Sequence, residues 1–242
     1  MRFRVLPALA AAFSLALAAP APLFAQQPDA RASTAPADPW PFAASDLPVD
    51  PDWRFGVLPN GMRYLIRPNA TPPERGMVQL WVDFGSAAEA EHQQGWAHFI
   101  EHMAFNGSTN VPEGEMIRLL EREGLAFGAD TNASTGFDTT RYMLDLPRND
   151  PALLDTALML MRETVSELTF DEAAVERERG VILSERRVRD TYDFRALIDN
   201  LQFLYPGSQL AQRLPIGTIE TIEGATGAGM RALWQEQYRP EN

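Results

Sequence analysis

Apolar and polar residues alternate along several segments of the chain, as they do in strands that bury one face. Residues 54–58 and 62–66 alternate on either side of a Pro-Asn-Gly segment, which predicts an antiparallel hairpin with a tight turn. Residues 77–84 show the same alternation, and residues 127–147 return to strand character. These patterns predict a sheet.

Apolar residues spaced three and four apart predict the helices. In residues 113–123, for example, Met116, Leu119 and Leu120 share one face, and Gly124 provides a stop signal. Helices are predicted over residues 93–105, 113–123, 150–168 and 171–189, with two more apolar segments at 197–204 and 229–238. Strands and helices do not alternate regularly as in a parallel sheet. The predicted fold class is therefore α+β, with helices packed on a largely antiparallel sheet.

The N-terminal segment has the pattern of a targeting sequence. Arg2 and Arg4 precede an Ala- and Leu-rich stretch, which predicts a signal peptide over residues 1–25 with cleavage after Ala25; an uncleaved N-terminal anchor is the alternative. Residues 26–50 are rich in Pro, Ala and Asp and are expected to form a flexible linker. The sequence thus predicts a periplasmic or secreted protein without a stable membrane span after signal cleavage.

Composition narrows the chemistry available to the 242 residues. The chain has no Cys, all 21 of its Lys and Arg residues are Arg, and His occurs three times. Thiolate metal clusters, Cys nucleophiles and Schiff bases are excluded, so a transition-metal site must combine His with Asp or Glu. The formal charge of −12 repels phosphate backbones, and no nucleic-acid partner is expected.

Two of the three histidines occur in one short motif, His98-Phe-Ile-Glu101-His102. Imidazoles four residues apart lie on one helix face and can bind the same Zn²⁺ ion. Glu101 then lies where a general base would accept a proton from a zinc-bound water. A chance pair of surface or core histidines is the alternative, but HxxEH rarely arises by chance in a chain of this length.

A catalytic zinc site needs a third protein ligand, which in this chain should be a carboxylate. His92 lies six residues before His98 in a predicted loop and is interpreted as a solvated bystander. The helix predicted over 171–189 carries Glu178 and Glu185, which are seven residues apart and share a face. Spacing alone, however, favours an ordinary charged helix surface.

Several segments together resemble the pitrilysin/insulinase family of inverzincin zinc metallopeptidases. They are GWAHFIEHMAFNG at 95–107, NAST at 132–135, ERERGVILSE at 176–185 and RLPIGT at 213–218. The resemblance implies that His98 and His102 ligate zinc and that Glu101 is the general base. It implies that Glu185 is the third ligand and that Glu178 steadies the site, although counting residues from the motif would select Glu178.

The resemblance also implies a domain organisation and a way of binding substrate. Residues 51–242 would form an N-terminal metallopeptidase domain of the insulinase and mitochondrial processing peptidase type, incomplete at its C-terminus. Asn132 and Ala133 would belong to an edge strand that pairs with a peptide or unfolded protein substrate. A C-terminal homologous half would complete the chamber, so these residues alone are expected to bind zinc but to hydrolyse peptides poorly.

The function implied is that of a zinc metalloendopeptidase. Two other classes remain open at this point: a non-catalytic family member that acts as a peptide-binding or structural subunit, and an exported metal-binding protein. The complete set of His98, Glu101, His102 and Glu185 disfavours the first, and the position of Glu101 disfavours the second. Two His and one carboxylate can also hold divalent ions other than zinc.

Overall fold

The computed structural model describes residues 40–242. The predicted signal peptide, and residues 26–39 of the predicted linker, lie outside the described residues. The chain divides into two compact units, of which the first ends at Ala44 and the second is Ser45–Asn242. The described part of the first unit contains a short 3-10 turn, Pro41–Ala44.

The predicted hairpin is confirmed. Strands β1 (Arg54–Val57) and β2 (Arg63–Ile66) pair antiparallel, with Arg54 opposite Ile66 and Val57 opposite Arg63. The turn requires a residue with positive φ, which Gly61 supplies at +95°. The two strands form a sheet of their own.

The second sheet contains three antiparallel strands. They are β3 (Gly76–Val82), β4 (Thr131–Thr135) and β5 (Thr140–Leu146), arranged in the order β3-β5-β4. Among the described strands, β4 therefore has a neighbour on one side only. The side chains of β5 alternate between buried and half-buried, which gives the sheet one face that packs against the core.

Seven helices accompany the strands in the described part of the chain. They are α1 (Trp96–Met103), α2 (Glu115–Arg122), α3 (Pro151–Ser166), α4 (Glu172–Arg189), α5 (Tyr192–Leu204), α6 (Ile219–Glu223) and α7 (Gly227–Gln237). The four predicted helices and the two further apolar segments are all present as helices, although their ends differ by a few residues. Within residues 40–242, no helix combines the length and apolar character needed to cross a membrane.

Helix α1 lies in the core, with seven of its eight residues buried. It packs against α4, against β4 and β5, and against α6 and α7. Helix α4 begins at a well-defined cap, where the Asp171 carboxylate accepts hydrogen bonds from the backbone N–H groups of Ala173 and Ala174. Because α1 packs between α4 and the sheet, its polar side chains are largely buried. Burial of a polar side chain is costly unless it has a hydrogen-bond or ionic partner.

Candidate metal centre

Helices α1 and α4 bring three potential metal donors together. His98 and His102, one turn apart on α1, have ring centroids 4.7 Å apart. From α4, Glu185 places one carboxylate oxygen 3.6 Å from Nε2 of His98 and the other 3.6 Å from Nε2 of His102. One donor atom from each residue lies within 4.8 Å of the other two.

This donor set fits a zinc ion. Separations of 3.6 Å between nitrogen and oxygen are longer than hydrogen bonds, which measure about 2.7–3.2 Å. They are close to the spacing of about 3.4 Å between two ligands that each lie about 2.0–2.1 Å from a tetrahedral zinc ion. Two imidazoles and one carboxylate also leave a fourth position open, as catalytic zinc sites do.

The second carboxylate of α4 contacts the opposite side of the same imidazole. Oε2 of Glu178 lies 3.0 Å from Nδ1 of His102. Asn106 hydrogen-bonds Glu178 and also donates to the backbone carbonyl of His102 at 3.0 Å. A carboxylate at Nδ1 holds the imidazole proton on that nitrogen. The lone pair of Nε2 is then directed at the space shared with the other two donors.

The environments of the two histidines shift their pKa values in opposite directions. Burial lowers the pKa of His98 to about 3, with smaller contributions from His102 and Arg189, so this imidazole is neutral as a metal ligand must be. Its Nδ1 is buried and has no hydrogen-bond partner among the described residues. Burial would also lower the pKa of His102, but Glu178 and nearby Glu185 outweigh it and raise that pKa.

Glu101 is enclosed on the same helix, with 8% of its surface exposed. Burial raises the pKa of its carboxyl group, and a hydrogen bond donated by the Thr135 hydroxyl of β4 partly offsets this increase. A raised carboxyl pKa suits a general base, because the proton it accepts is held more firmly than by an exposed glutamate. The sequence motif placed Glu101 here, but it gave no signal for the contact with Thr135.

A second buried carboxylate anchors the beginning of α1. The Glu89 oxygens accept hydrogen bonds from the backbone N–H groups of Gly95, at 2.9 Å, and Ala97, at 2.7 Å. Gly95 has φ of +88°, and a Cβ there would lie 2.8 Å from the Cα of Gly217, in the loop that follows Arg213. Burial raises the pKa of Glu89 to about 7, although both N–H donors and Arg213 oppose that shift.

The other predicted residues are not members of the three-donor group. Asn132 and Ala133 are on β4, the strand that also carries Thr135, and the Asn132 side chain is exposed and accepts a hydrogen bond from the N–H of Ala133. His92 is not one of the three grouped donors; its ring meets Trp96 edge-on, with centroids 6.0 Å apart.

An open groove runs along α4 beside the three-donor group. Its volume is about 580 Å³, and Glu185 is one of its lining residues. The lining combines apolar and cationic side chains, namely Val181, Val188, Arg177 and Arg189, with Gly180 and Ser184. Arg189 approaches the Glu185 carboxylate to 3.6 Å. Of the three grouped donors, Glu185 lines this groove.

Comparison with known proteins places this fold among the peptidases. The chain belongs to the insulinase family, peptidase family M16, whose model matches residues 64–212. The family identified from the sequence motifs, and the fold class expected from it, are thereby confirmed.

The similar proteins include enzymes named for proteolysis. The chain is 36% identical over 199 residues to the probable zinc protease PqqL of Escherichia coli, a match that covers 82% of this chain and 21% of that protein. It is 34% identical over 204 residues to the chloroplastic stromal processing peptidase of Pisum sativum, covering 83% of this chain and 15% of the other.

Solved structures show the same similarity. The crystal structure of the periplasmic protease PqqL from Escherichia coli superimposes with a TM-score of 0.78 at 35% identity, over 81% of this chain and 22% of that one. The chain thus spans about a fifth of the length of these PqqL relatives.

Proposed function

We propose that the chain carries the metal centre of a zinc metalloendopeptidase, with His98, His102 and Glu185 as ligands. One observation carries the proposal: Glu101, a buried glutamate, lies between His98 and His102 in the sequence of the helix that presents both imidazoles to a carboxylate of α4. Relatives named as zinc proteases support the choice of ion and of reaction.

Each residue then has a defined task. When bound, the zinc ion would supply Lewis acidity to a water molecule and to the carbonyl of the scissile peptide bond. Glu101 accepts a proton from the attacking water and delivers it to the leaving amine. Glu178 holds the His102 imidazole in the tautomer and orientation that direct Nε2 at the ion.

The substrate in this proposal is a peptide or an unfolded protein segment. It lies along the side of β4 that pairs with no other strand in the described part of the chain, and it forms backbone hydrogen bonds near Asn132 and Ala133, a mode that tolerates many side chains. This mode of binding predicts little dependence on sequence.

The proposal extends to the organisation and location of the protein. Residues 1–25 serve as a signal peptide, residues 26–50 as a linker and residues 51–242 as the metallopeptidase domain. A periplasmic location follows from this signal and from the periplasmic PqqL structure. The partner of the domain is a C-terminal homologous half, consistent with relatives several times longer than this chain.

The substitution Glu101→Gln tests the proposed mechanism. The amide cannot accept the proton of the water, so we expect hydrolysis of a quenched fluorogenic peptide to fall by about 10²–10⁴-fold while zinc is retained. Zinc content is measured by mass spectrometry on the same samples, with the protein at its full natural length. The exposed Glu121→Gln, on α2, is the matched control and should keep both properties.

Two results would contradict the proposal. Hydrolysis by Glu101→Gln at the wild-type rate would remove Glu101 from the role of base. A wild type that holds zinc but cleaves no peptide would favour the non-catalytic alternative.

A further inference from the structure

The strand beside α1 presents two different faces. Thr131, Ala133 and Thr135 are buried or half-buried, whereas Asn132 and Ser134 are exposed. This is the alternation expected of a strand that covers a helix with one face. The Thr135 side chain is therefore on the face of β4 that packs against α1, at the end of the strand.

The Thr135 hydroxyl donates a hydrogen bond to Oε2 of Glu101. Among residues 40–242 it is the side chain that donates to this carboxylate, whose other neighbours, His102, Glu185 and Arg189, act through their charges. A buried carboxylate with a single fixed donor has one preferred orientation, because turning away would leave Oε2 without a partner.

We propose that Thr135 is a positioning residue that holds the Glu101 carboxylate in the orientation needed for proton transfer. The inference rests on the proposed function, since Glu101 is assigned there as the base. The hydroxyl engages Oε2, and Oε1 then remains available to accept the proton of the attacking water. Thr135 does not itself touch the reacting atoms.

The position of Thr135 also joins two parts of the site. Asn132 and Ala133, proposed to pair with the substrate backbone, precede Thr135 on the same short strand. Pairing with β5 along all five residues fixes the register of this strand. Substrate pairing and orientation of the base therefore depend on one element.

Thr135→Val, which replaces the hydroxyl by a methyl group of similar size, tests the inference. We expect kcat for a quenched fluorogenic peptide to fall by about 10–100-fold, the effect of a misplaced catalytic group. KM should change by less than about twofold, because the hydroxyl acts in the transition state and not in substrate binding. Zinc affinity, measured by competition with a chelator, should be retained.

Two further variants separate positioning from a structural role. Thr135→Ser keeps the hydroxyl and should restore kcat, while Ser134→Ala, on the exposed face of the same strand, should leave kcat and KM unchanged. Thermal unfolding establishes that each variant is folded. If Thr135→Val does not fold, Thr135→Ala supplies the comparison.

A binding measurement gives a readout that does not depend on turnover. A peptide hydroxamate binds a zinc ion and also donates a hydrogen bond to the base. Its affinity for zinc-loaded Thr135→Val, measured by calorimetry on the protein at its full natural length, should be about tenfold weaker than for the wild type. Thr135→Ser should bind as tightly as the wild type.

The outcomes distinguish this inference from the proposed function. If the wild type cleaves no peptide, the proposed function fails, and the hydroxamate titration still decides whether Thr135 orients the Glu101 carboxylate. Equal hydroxamate affinity in wild type and Thr135→Val overturns the inference, as does a loss of kcat that Thr135→Ser does not restore or an effect confined to KM.

Discussion

Glu178 and Glu185 approach His102 from opposite sides of its ring. Glu178 meets Nδ1 at 3.0 Å, whereas Glu185 lies 3.6 Å from Nε2 and also reaches His98. The first distance is that of a hydrogen bond, and the second leaves room for an ion between the atoms. At the scale of single residues, the geometry therefore favours Glu185 as the ligand and Glu178 as the group that orients the imidazole.

Substitution of each glutamate tests this difference. Glu185→Gln removes an anionic ligand, and we expect zinc affinity to fall by well over 100-fold. Glu178→Gln leaves the ligand set intact and should weaken zinc by about 10–100-fold, as loss of an orienting partner does. The exposed Glu176→Gln, on the same helix, is the control. Competition with a fluorescent chelator measures all three, and a reversed order of the first two would exchange their roles.

The grouping of these side chains could be predicted in part from the sequence, for physical reasons. The four-residue spacing places His98 and His102 on one helix face whatever the surrounding fold. The choice between Glu178 and Glu185 does not follow from spacing, because both share a face of α4 and only the packing of α4 on α1 decides which oxygen meets which nitrogen. The resemblance to the family was needed for that choice.

At the scale of single elements, helix α1 differs from its prediction in its bounds and in the contact that holds its first turn. The predicted range of this helix, 93–105, was too long. Gly95 has a left-handed backbone conformation, which separates the 3-10 turn Glu91–Gln93 from the α-helix that begins at Trp96. The anchoring of its first turn by Glu89 was not predicted, since a carboxylate six residues before its partner Gly95 has no recognisable capping spacing.

The anchor predicts a dependence of stability on pH. Burial raises the pKa of Glu89 from 4.5 unfolded to about 7 folded, so the folded chain holds a proton that the unfolded chain releases. The free energy of unfolding should therefore fall as pH rises from about 4.5 to about 7, by up to about 3 kcal/mol from this group.

Glu89→Gln should remove this contribution, and comparison with the wild type isolates it from other groups that titrate in the same range. Urea unfolding at a series of pH values measures both slopes. We expect the variant to show a flatter dependence, even if its stability is lower throughout because one N–H donor of α1 loses its acceptor. Parallel slopes would show that Glu89 does not titrate in this range.

At the scale of the whole molecule, the α+β class and the largely antiparallel sheet followed from the sequence because strand-like and helical segments do not alternate regularly along the chain. The contact between Thr135 and Glu101 did not follow from it, since it joins residues 34 apart through the packing of a strand on a helix. Membership of the insulinase family supports peptidase activity.

A zinc titration of the metal-free protein, at its full natural length, tests the central claim most directly. Zinc is removed with a chelator and added back in steps, and zinc bound per chain and peptide hydrolysis are measured on each sample. We predict that hydrolysis is absent without zinc and rises in proportion to occupancy until one zinc ion is bound per chain at His98, His102 and Glu185. Hydrolysis that survives complete removal of the metal would contradict the account.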